Sequence, residues 1–330
     1  MSDNSYMVAT RCWVYNHENF INDALQGFAL QETSFPTVYL IVDDASTDGS
    51  QDVIKHWVGE YLDLSETGFA YQKKMPYGTL FFARNREKPN SHFVVLLLEE
   101  NHYQTGRGAQ KFQYISEWSE NAKYHALCEG DDYWTDPEKL QKQVMYLESH
   151  PDYTLCCHNA RKYYVQEDRY EDFCKYKQNR EISAYDAVHK WIIATASMLF
   201  RREMNTKPDW EARIYSGDYS LILRCLYYGK IYYLKDTMSV YRFNMKGGSM
   251  TAMVQEKPFF VFEQHMKVLN SFLNAPEQRN KKVIRKRICY LKNEIDFNKT
   301  KGSHGLMNTF LHVFYGGKKF LYNMLYPVVL

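Results

Sequence analysis

TVYLIVDDASTDGSQDVIKHW (residues 37–57) opens on an apolar run, meets two aspartates, and passes through a Ser- and Gly-containing turn into a helical pattern. A near-continuous apolar run marks a strand buried on both faces, as in a parallel sheet. Ser46 or Thr47 can cap the helix that follows, and its acidic first turn suits the positive end of the helix dipole. The same order repeats outward. Residues 7–15 (MVATRCWVY) are β-prone, and residues 17–31 place Phe20, Ile21, Ala24, Leu25 and Phe28 at helical spacing. Residues 93–98 (FVVLLL) form a third buried strand, residues 107–122 are weakly helical, and residues 124–128 lead to a fourth strand end. Residues 136–149 form a helix with Asp136 as N-cap, Pro137 in its first position and an apolar stripe of Leu140, Val144 and Leu147. Segment 63–92, polar with scattered Gly and Pro, reads as an inserted loop region. This alternation predicts an α/β fold with a mostly parallel sheet flanked by helices on both faces. Later the pattern is less regular: strands at 153–158 and 192–200, a helix at 217–229, two short strands within 230–243, and basic helical sequence over 255–299.

Composition excludes several classes. At 330 residues and 39.2 kDa the chain can bury a sizeable core, and 45% hydrophobic with 24% charged residues excludes wholesale disorder. No apolar run approaches the roughly 20 residues that span a bilayer, and the opening MSDNSYMVATRCW lacks the basic-then-apolar order of a signal peptide. The 7 cysteines include no C-x-x-C pair, which argues against a disulfide framework or structural zinc and fits a reducing cytoplasm. Aromatic residues reach 16%, which suits a ring-rich core or a site that stacks on flat ligands. Residues 277–330 carry 11 Lys and Arg against 3 Asp and Glu, a net of +8, which leaves the preceding 276 residues at −6 of the overall +2. A mildly acidic body with a basic end disfavours nucleic acid as partner and points to an anionic surface.

In parallel sheets, ligands bind beyond the carboxyl ends of the strands, where the acidic motifs fall. EGDDYWTDP (129–137) places Glu129, Asp131 and Asp132 within four positions at a strand end. Carboxylates so close repel unless a cation neutralises them, and a hard ion such as Mg²⁺ or Mn²⁺, shared with a substrate diphosphate, is the natural partner. The alternative is a solvated turn that caps the next helix. In VDDASTDGS (42–50), Asp44 can accept from an N–H or a ribose hydroxyl, whereas Asp48 fits a helix-terminal role. Asp218 in SGDYSL (216–221) opens a helix after Gly217, and taken alone it reads better as a plain N-cap. Arg242 in VYRFNMKGGS (240–249) can meet a phosphate beside a glycine pair that permits close backbone approach. G-x-G-x-x-G after the first strand, G-x-x-x-x-G-K-[ST], G-x-S-x-G and H-E-x-x-H are all absent. Dinucleotide enzymes, P-loop NTPases, serine hydrolases of the elbow type and zincins are therefore disfavoured.

Taken in order, these motifs resemble the inverting family 2 glycosyltransferases of GT-A-type fold. YNHENFINDAL (15–25) is similar to that family's Y-N-x-E-x-[YF]-[IL] opening, and VDDASTDGS to its V-D-D-x-S-x-D-x-[ST] element. EGDDYWTDPEKLQKQVMYLESHPDY (129–153) resembles the bacterial polysaccharide branch, in which E-G-D-D-Y-W replaces D-x-D-D. SGDY (216–219) falls where the family places its general base, and YRFN (241–244) where it often has Y-R-x-H. The likeness covers about residues 6–250, and the ordered set is far more specific than any single motif.

The resemblance implies a GT-A-like domain over 1–250, with a nucleotide half to about residue 135 and an acceptor half beyond it. A helical extension follows over 251–330. It implies that Tyr15 and Asn16 flank the nucleobase, Asp44 contacts uracil or ribose, and Asp131 and Asp132 hold the ribose and a divalent metal with Glu129 at the first acidic position. Asp218 is then the catalytic base, and TASMLFR (195–201) borders the acceptor. The implied reaction moves a hexosyl or N-acetylhexosaminyl group from a UDP-linked donor to a glycan or lipid-linked acceptor in surface polysaccharide synthesis. Negative charge grows on the leaving diphosphate, which a divalent ion stabilises, and a sugar hydroxyl needs a carboxylate within hydrogen-bond reach to become a nucleophile. Single displacement requires that base to lie opposite the metal. Two departures stand out: Glu129 replaces an Asp, and Asn244 replaces a His.

The basic run RNKKVIRKR (279–287), followed by the acid-free, aromatic 306–330, suits the interface of an anionic membrane on the cytoplasmic side. The competing expectation is a helical hairpin packed on the body with its charges solvated. Two other functions are weighed against transfer. A catalytically silent nucleotide-sugar-binding module is opposed by the intact Asp131, Asp132 and Asp218. A sugar nucleotidyltransferase would need a glycine-rich basic loop after the first strand, which YNHENF does not offer.

Overall fold

The computed structural model of the chain describes residues 6–65, 70–214, 216–243 and 258–300. Asn244, the glycine pair at 247–248 and the segment 306–330 lie outside the described residues. In chain order the elements are β1 (Val8–Val14), α1 (Ile21–Leu30), β2 (Thr37–Asp43), α2 (Ser50–Tyr61), β3 (Tyr71–Met75), β4 (Gly78–Arg84) and β5 (Ser91–Leu98). Next come α3 (Gln110–Tyr114), α4 (Ser116–Ser119), β6 (Tyr124–Leu127), β7 (Tyr133–Trp134), α5 (Lys139–Ser149), β8 (Tyr153–Tyr164), β9 (Arg169–Asp172) and β10 (Arg180–Glu181). The last are α6 (Ala184–His189), β11 (Leu199–Arg201), α7 (Gly217–Tyr228), β12 (Lys230–Phe243), α8 (Pro258–Leu273) and α9 (Lys281–Thr300). The chain forms two compact units. One takes the sequence up to Arg180 with Ile193–Glu203 and Tyr232–Phe243; the other takes Glu181–Ile192, Met204–Ile231 and the helices after them. The units alternate along the sequence and do not divide at one point near residue 250.

The first unit is built on an α/β sheet in the order β12–β8–β11–β6–β1–β2–β5–β4–β3, with β7 against β12 and β9 against β8. Its four central strands, β6, β1, β2 and β5, are parallel. The strands next to them on both sides, β4 and β11, pair antiparallel, so the sheet is mixed and its parallel part is the centre. Every residue of β2 is buried, as expected for a strand covered on both faces. Asp43 sits in register with Val14 and with Leu97, so the ends of β1 and β2 open onto one edge.

Helix α1 buries Ile21, Ala24, Leu25 and Phe28, the stripe that the i, i+3, i+4, i+7 spacing requires. Phe28 stacks on Tyr39 at 5.2 Å, Tyr39 stacks on Phe93 at 4.8 Å, and Trp134 meets the edge of Phe28 at 5.1 Å. Gly27 lets α1 approach this tryptophan. A Cβ there would lie 2.8 Å from the Trp134 carbonyl oxygen and 2.9 Å from its nitrogen, both backbone atoms.

Several local expectations are corrected. Segment 63–92 is not a loop region, because β3 and β4 form a hairpin whose inner strand pairs with β5 along its length. Its polar residues lie on the exposed edge strand β3, while Leu80, Phe82 and Ala83 of β4 are buried. Residues 107–122 make two short helices rather than one. In 192–200 only the end is strand, and β12 is one continuous strand of 14 residues rather than two. Helix α2 starts at Ser50, not after Ser46 or Thr47, because Asp48 accepts the Ser50 amide at 2.9 Å. Likewise α5 starts at Lys139, because the Asp136 carboxylate takes the Glu138 amide at 2.8 Å in a turn before the helix.

The second unit packs Val188, Leu223, Val268, Leu269, Phe272, Ile284 and Leu291 from α6, α7, α8 and α9 into its own core. Arg224 is buried there with Glu211, its Nε and Nη2 donating to the two carboxylate oxygens at 2.6 and 2.7 Å. All seven cysteines are free, and six are buried, as thiols of a packed interior. No helix among the described residues is long and apolar enough to cross a membrane.

Two tests follow from the packing. Gly27→Ala, which forces a methyl into the Trp134 backbone, should cost about 1–3 kcal/mol in urea unfolding. Lys139 is fully buried, its Nζ donating to Gln143 Oε1 at 2.8 Å and lying 4.0 Å from the Trp134 ring, and burial pushes its amine down to about 7. Between that value and the unfolded value of about 10.4, the unfolded chain binds more protons, so stability should rise as pH climbs through this window. Lys139→Met should flatten that rise when unfolding is compared at about pH 7 and about pH 9.

Candidate active site

The first unit brings the loops after β1, β2 and β6 together at one edge. Asn16 and Ala45 both adopt left-handed backbone, each with φ 57°. Asparagine tolerates that region, whereas alanine pays roughly 1–2 kcal/mol for it. The two loops are stitched to each other. The Asn16 amide donates to Ser46 Oγ at 2.9 Å, and Asn16 Oδ1 accepts from the Thr47 amide at 2.8 Å. The His17 amide donates to Ser50 Oγ at 2.8 Å, and the Glu18 amide to Asp48 at 3.0 Å. Burial raises the Asp48 carboxyl, but the hydrogen bonds from Ser50 and Glu18 outweigh it and hold the group below the ordinary range. Tyr15 stays exposed, its hydroxyl accepting from Gln104 Nε2 at 3.3 Å. Asn16 thus fastens the loops together, a contact that motif reading alone does not reveal.

The paired aspartates after β2 have separate surroundings. Asp43 takes the Ser46 amide at 2.9 Å and Gln51 Nε2 at 2.7 Å, and burial pushes its carboxyl up. Asp44 holds the segment after β5. Its oxygens accept from the His102 amide at 2.7 Å, the Tyr103 amide at 3.1 Å and Lys111 Nζ at 2.7 Å. The Lys111 and Asp44 side chains are only 11% and 4% exposed, so this ion pair is buried. Nothing in the sequence marks Lys111, since it lies 67 residues from its partner.

The acidic turn is the third component. Gly130 leaves room for the β1 loop, because a Cβ there would lie 2.8 Å from His17 Nδ1 and 3.0 Å from Val14 Cγ2 and would push those side chains aside. Asp132 is 2% exposed, and its Oδ1 accepts the Arg242 amide at 2.8 Å. Burial, followed by the neighbouring Asp131 charge, pushes its carboxyl well above the ordinary range, against the pull of the Arg242 amide. Arg242 is buried at the same place. Its guanidinium donates to the Asp131 carbonyl at 2.9 Å and pairs with Asp23 of α1. The same group lies 4.5 Å from the Tyr133 ring and 5.0 Å from the Phe20 ring. Arg242 therefore braces the turn from below, and Asp23 is the partner that sequence reasoning missed.

Among the described residues no group of three His, Cys, Asp or Glu side chains converges as a metal site. Asp131, half-buried, and Asp132 still provide two adjacent carboxylates. Mg²⁺ bound together with substrate phosphates ordinarily takes only one or two from protein, so the residues fit a cation shared with a diphosphate rather than one enclosed by protein. In the second unit, Asp218 lies in the first turn of α7, half-buried, two residues after the N-cap Ser216, whose side chain makes no cap hydrogen bond; the Asp218 carboxylate serves the helix start instead. Asp218 Oδ1 accepts the Tyr219 amide at 2.7 Å.

No protein-family model matches the chain. An uncharacterized protein of Mycobacterium bovis and two of Mycobacterium tuberculosis are 32% identical to it over 251 residues, 76% of this chain and 63% of theirs. The chain thus spans less than two thirds of the length of the curated relatives it matches. Residues 1–349 of Staphylococcus aureus TarS in complex with UDP-GlcNAc share its fold with a TM-score of 0.60 at 14% identity, over 96% of this chain and 81% of that one. PcManGT, a mannosyltransferase of Pyrobaculum calidifontis in complex with GDP-Man and Mn²⁺, gives 0.52 at 12% identity over 98% and 83%. The chain has the α/β, GT-A-like fold of these structures.

The grip of Asp44 on the segment after β5 is directly testable. Asp44→Ala should speed amide hydrogen exchange at His102 and Tyr103 while leaving β2 protected. Lys111→Met, which strands a buried carboxylate, should cost about 3 kcal/mol of stability.

Proposed function

We propose that the chain is an inverting glycosyltransferase that moves a hexosyl or N-acetylhexosaminyl group from a UDP-linked donor to a glycan or lipid-linked acceptor, in surface polysaccharide synthesis. The observation that supports this reading best is the buried Asp132 beside Asp131, braced by Arg242 at the carboxyl edge of a GT-A-like sheet. Two carboxylates forced together there are costly unless a cation joins them. Solved structures of the same fold hold UDP-GlcNAc, and GDP-Man with Mn²⁺.

In this reading Tyr15 and Asn16 flank the nucleobase, and Asp44 addresses the nucleoside with oxygen capacity left over from the loop it holds. Asp131 and Asp132 hold the ribose and a Mn²⁺ or Mg²⁺, with Glu129 at the rim of the same turn. The cation supplies Lewis-acid stabilisation of the charge that grows on the leaving diphosphate. Arg242 keeps the Asp132 carboxylate pointed and dry, and adds positive charge beside the turn. Asp218 takes the proton from the acceptor hydroxyl as that oxygen attacks the anomeric carbon, and a single displacement inverts the centre. The proposed place of work is the cytoplasmic face of an anionic membrane, contacted through residues 277–330. The exposed Lys281, Lys282, Arg285 and Lys292 of α9 support that contact.

Calorimetry with UDP and UDP-sugars, with and without Mn²⁺, tests the site. Metal-dependent UDP binding that disappears in Asp132→Ala is expected. Asp218→Asn should lower transfer by at least about 100-fold while sparing donor affinity. Equal loss of both would remove Asp218 from the role of base, and no nucleotide binding by the native chain would favour the silent binding module.

A further inference from the structure

The β8–β9 hairpin of the first unit carries a row of rings that the transfer chemistry leaves unused. Tyr163 and Tyr170 stand directly opposite each other in the antiparallel pair, and their rings stack at 4.4 Å, inclined by 16°. Tyr170 is 43% exposed. Tyr133, the residue after Asp132, neighbours Tyr170, and its ring lies against the Arg242 guanidinium. Tyr133, Tyr170 and Tyr163 are therefore neighbours beside the acidic turn. Arg161 lies 5.8 Å from the Tyr170 ring, and the Tyr163 hydroxyl donates to Asp168 at 2.9 Å.

A cross-strand tyrosine pair helps to hold a hairpin, by roughly 0.2–1 kcal/mol. That accounts for the stack, but not for its direct continuation into the acidic turn through Tyr133. The charges on its own face of the hairpin are mixed in sign: Arg161 stands opposite Asp172, which pairs with Lys177 at 3.2 Å, and Asp168 takes the Tyr163 hydroxyl. Such a surface has little long-range attraction for a polyanion. It does offer the exposed Tyr170 ring, backed by Tyr163, with a hydrogen-bonding group at its edge, which matches a sugar ring with apolar C–H faces and a rim of hydroxyls.

We propose that Tyr163 and Tyr170 form an acceptor subsite that holds a neutral oligosaccharide beyond its reacting end; this rests on the transferase reading of the acidic turn. Tyr133 joins that subsite to the place where the new bond forms. A subsite of this kind makes affinity grow with acceptor length and leaves donor binding untouched.

The test uses the full chain with UDP and Mn²⁺, titrated by calorimetry with malto-, cello-, manno- and chito-oligosaccharides from monomer to hexamer. UDP affinity is measured on the same samples. The native chain should bind at least one series, more tightly as length grows. Tyr163→Leu and Tyr170→Leu, which keep apolar bulk in the hairpin but remove a flat face, should each weaken that binding about tenfold. Tyr170→Phe, which keeps the ring and loses the hydroxyl, should bind nearly as the native chain does. UDP affinity should be the same in all of them. No binding of any oligosaccharide by the native chain, or equal binding by the leucine variants, overturns the subsite. Absence of UDP binding in the native chain would instead strike the transferase reading, whatever the oligosaccharides do.

Discussion

Trp134 sets where the acidic turn can lie. Its backbone is pressed against Gly27 of α1, its ring meets Phe28 and the buried Lys139, and its indole N–H donates to the Ala196 carbonyl at 2.9 Å. With the indole immobilised, β7 has one register against β12, in which Trp134 faces Ser239 and Tyr133 faces Val240. Arg242 then arrives two residues later, beside Asp132. The placement of a carboxylate thus depends on an aromatic contact made inside the core. Close packing makes such a contact discrete rather than adjustable.

The acids of this edge are stabilised in unlike ways. Asp43 and Asp48 spend their oxygens on neighbouring Ser, Gln and backbone groups, and so shape the loop after β2. Asp44 has a full counter-charge in Lys111. Asp132 has only one described donor to its carboxylate, the Arg242 amide, and is the most costly of them to ionise in isolation. An acid left short of partners while its neighbours are well supplied is the pattern expected of a group reserved for a ligand.

Much of the central fold was legible because burial on both faces leaves a simple trace. TVYLIVD and FVVLLL read as strands and are strands, and the α1 stripe appears at its expected positions from Ile21 to Phe28, while Phe20 lies just before the helix. The β3–β4 hairpin was not legible, because an exposed edge strand such as YQKKM has polar composition and its β structure comes from pairing with Gly78–Arg84. Helix starts were misplaced by a few residues for a related reason. Asp48 and Asp136 fold their carboxylates onto the next amides and delay the helix, and a cap-like residue does not reveal which amide it will take.

The sequence by itself determined which strands are central, that two acidic turns follow them, and that the Asp131–Asp132 pair stands at a strand end. These are local facts, written in hydrophobic period and residue spacing. Only the tertiary structure decided that Arg242 braces Asp132 and pairs with Asp23, that Lys111 neutralises Asp44, and that Tyr133 leads into the Tyr170–Tyr163 stack. Those contacts join residues up to 219 positions apart. Their existence depends on sheet order and strand register, which no periodicity along the chain encodes.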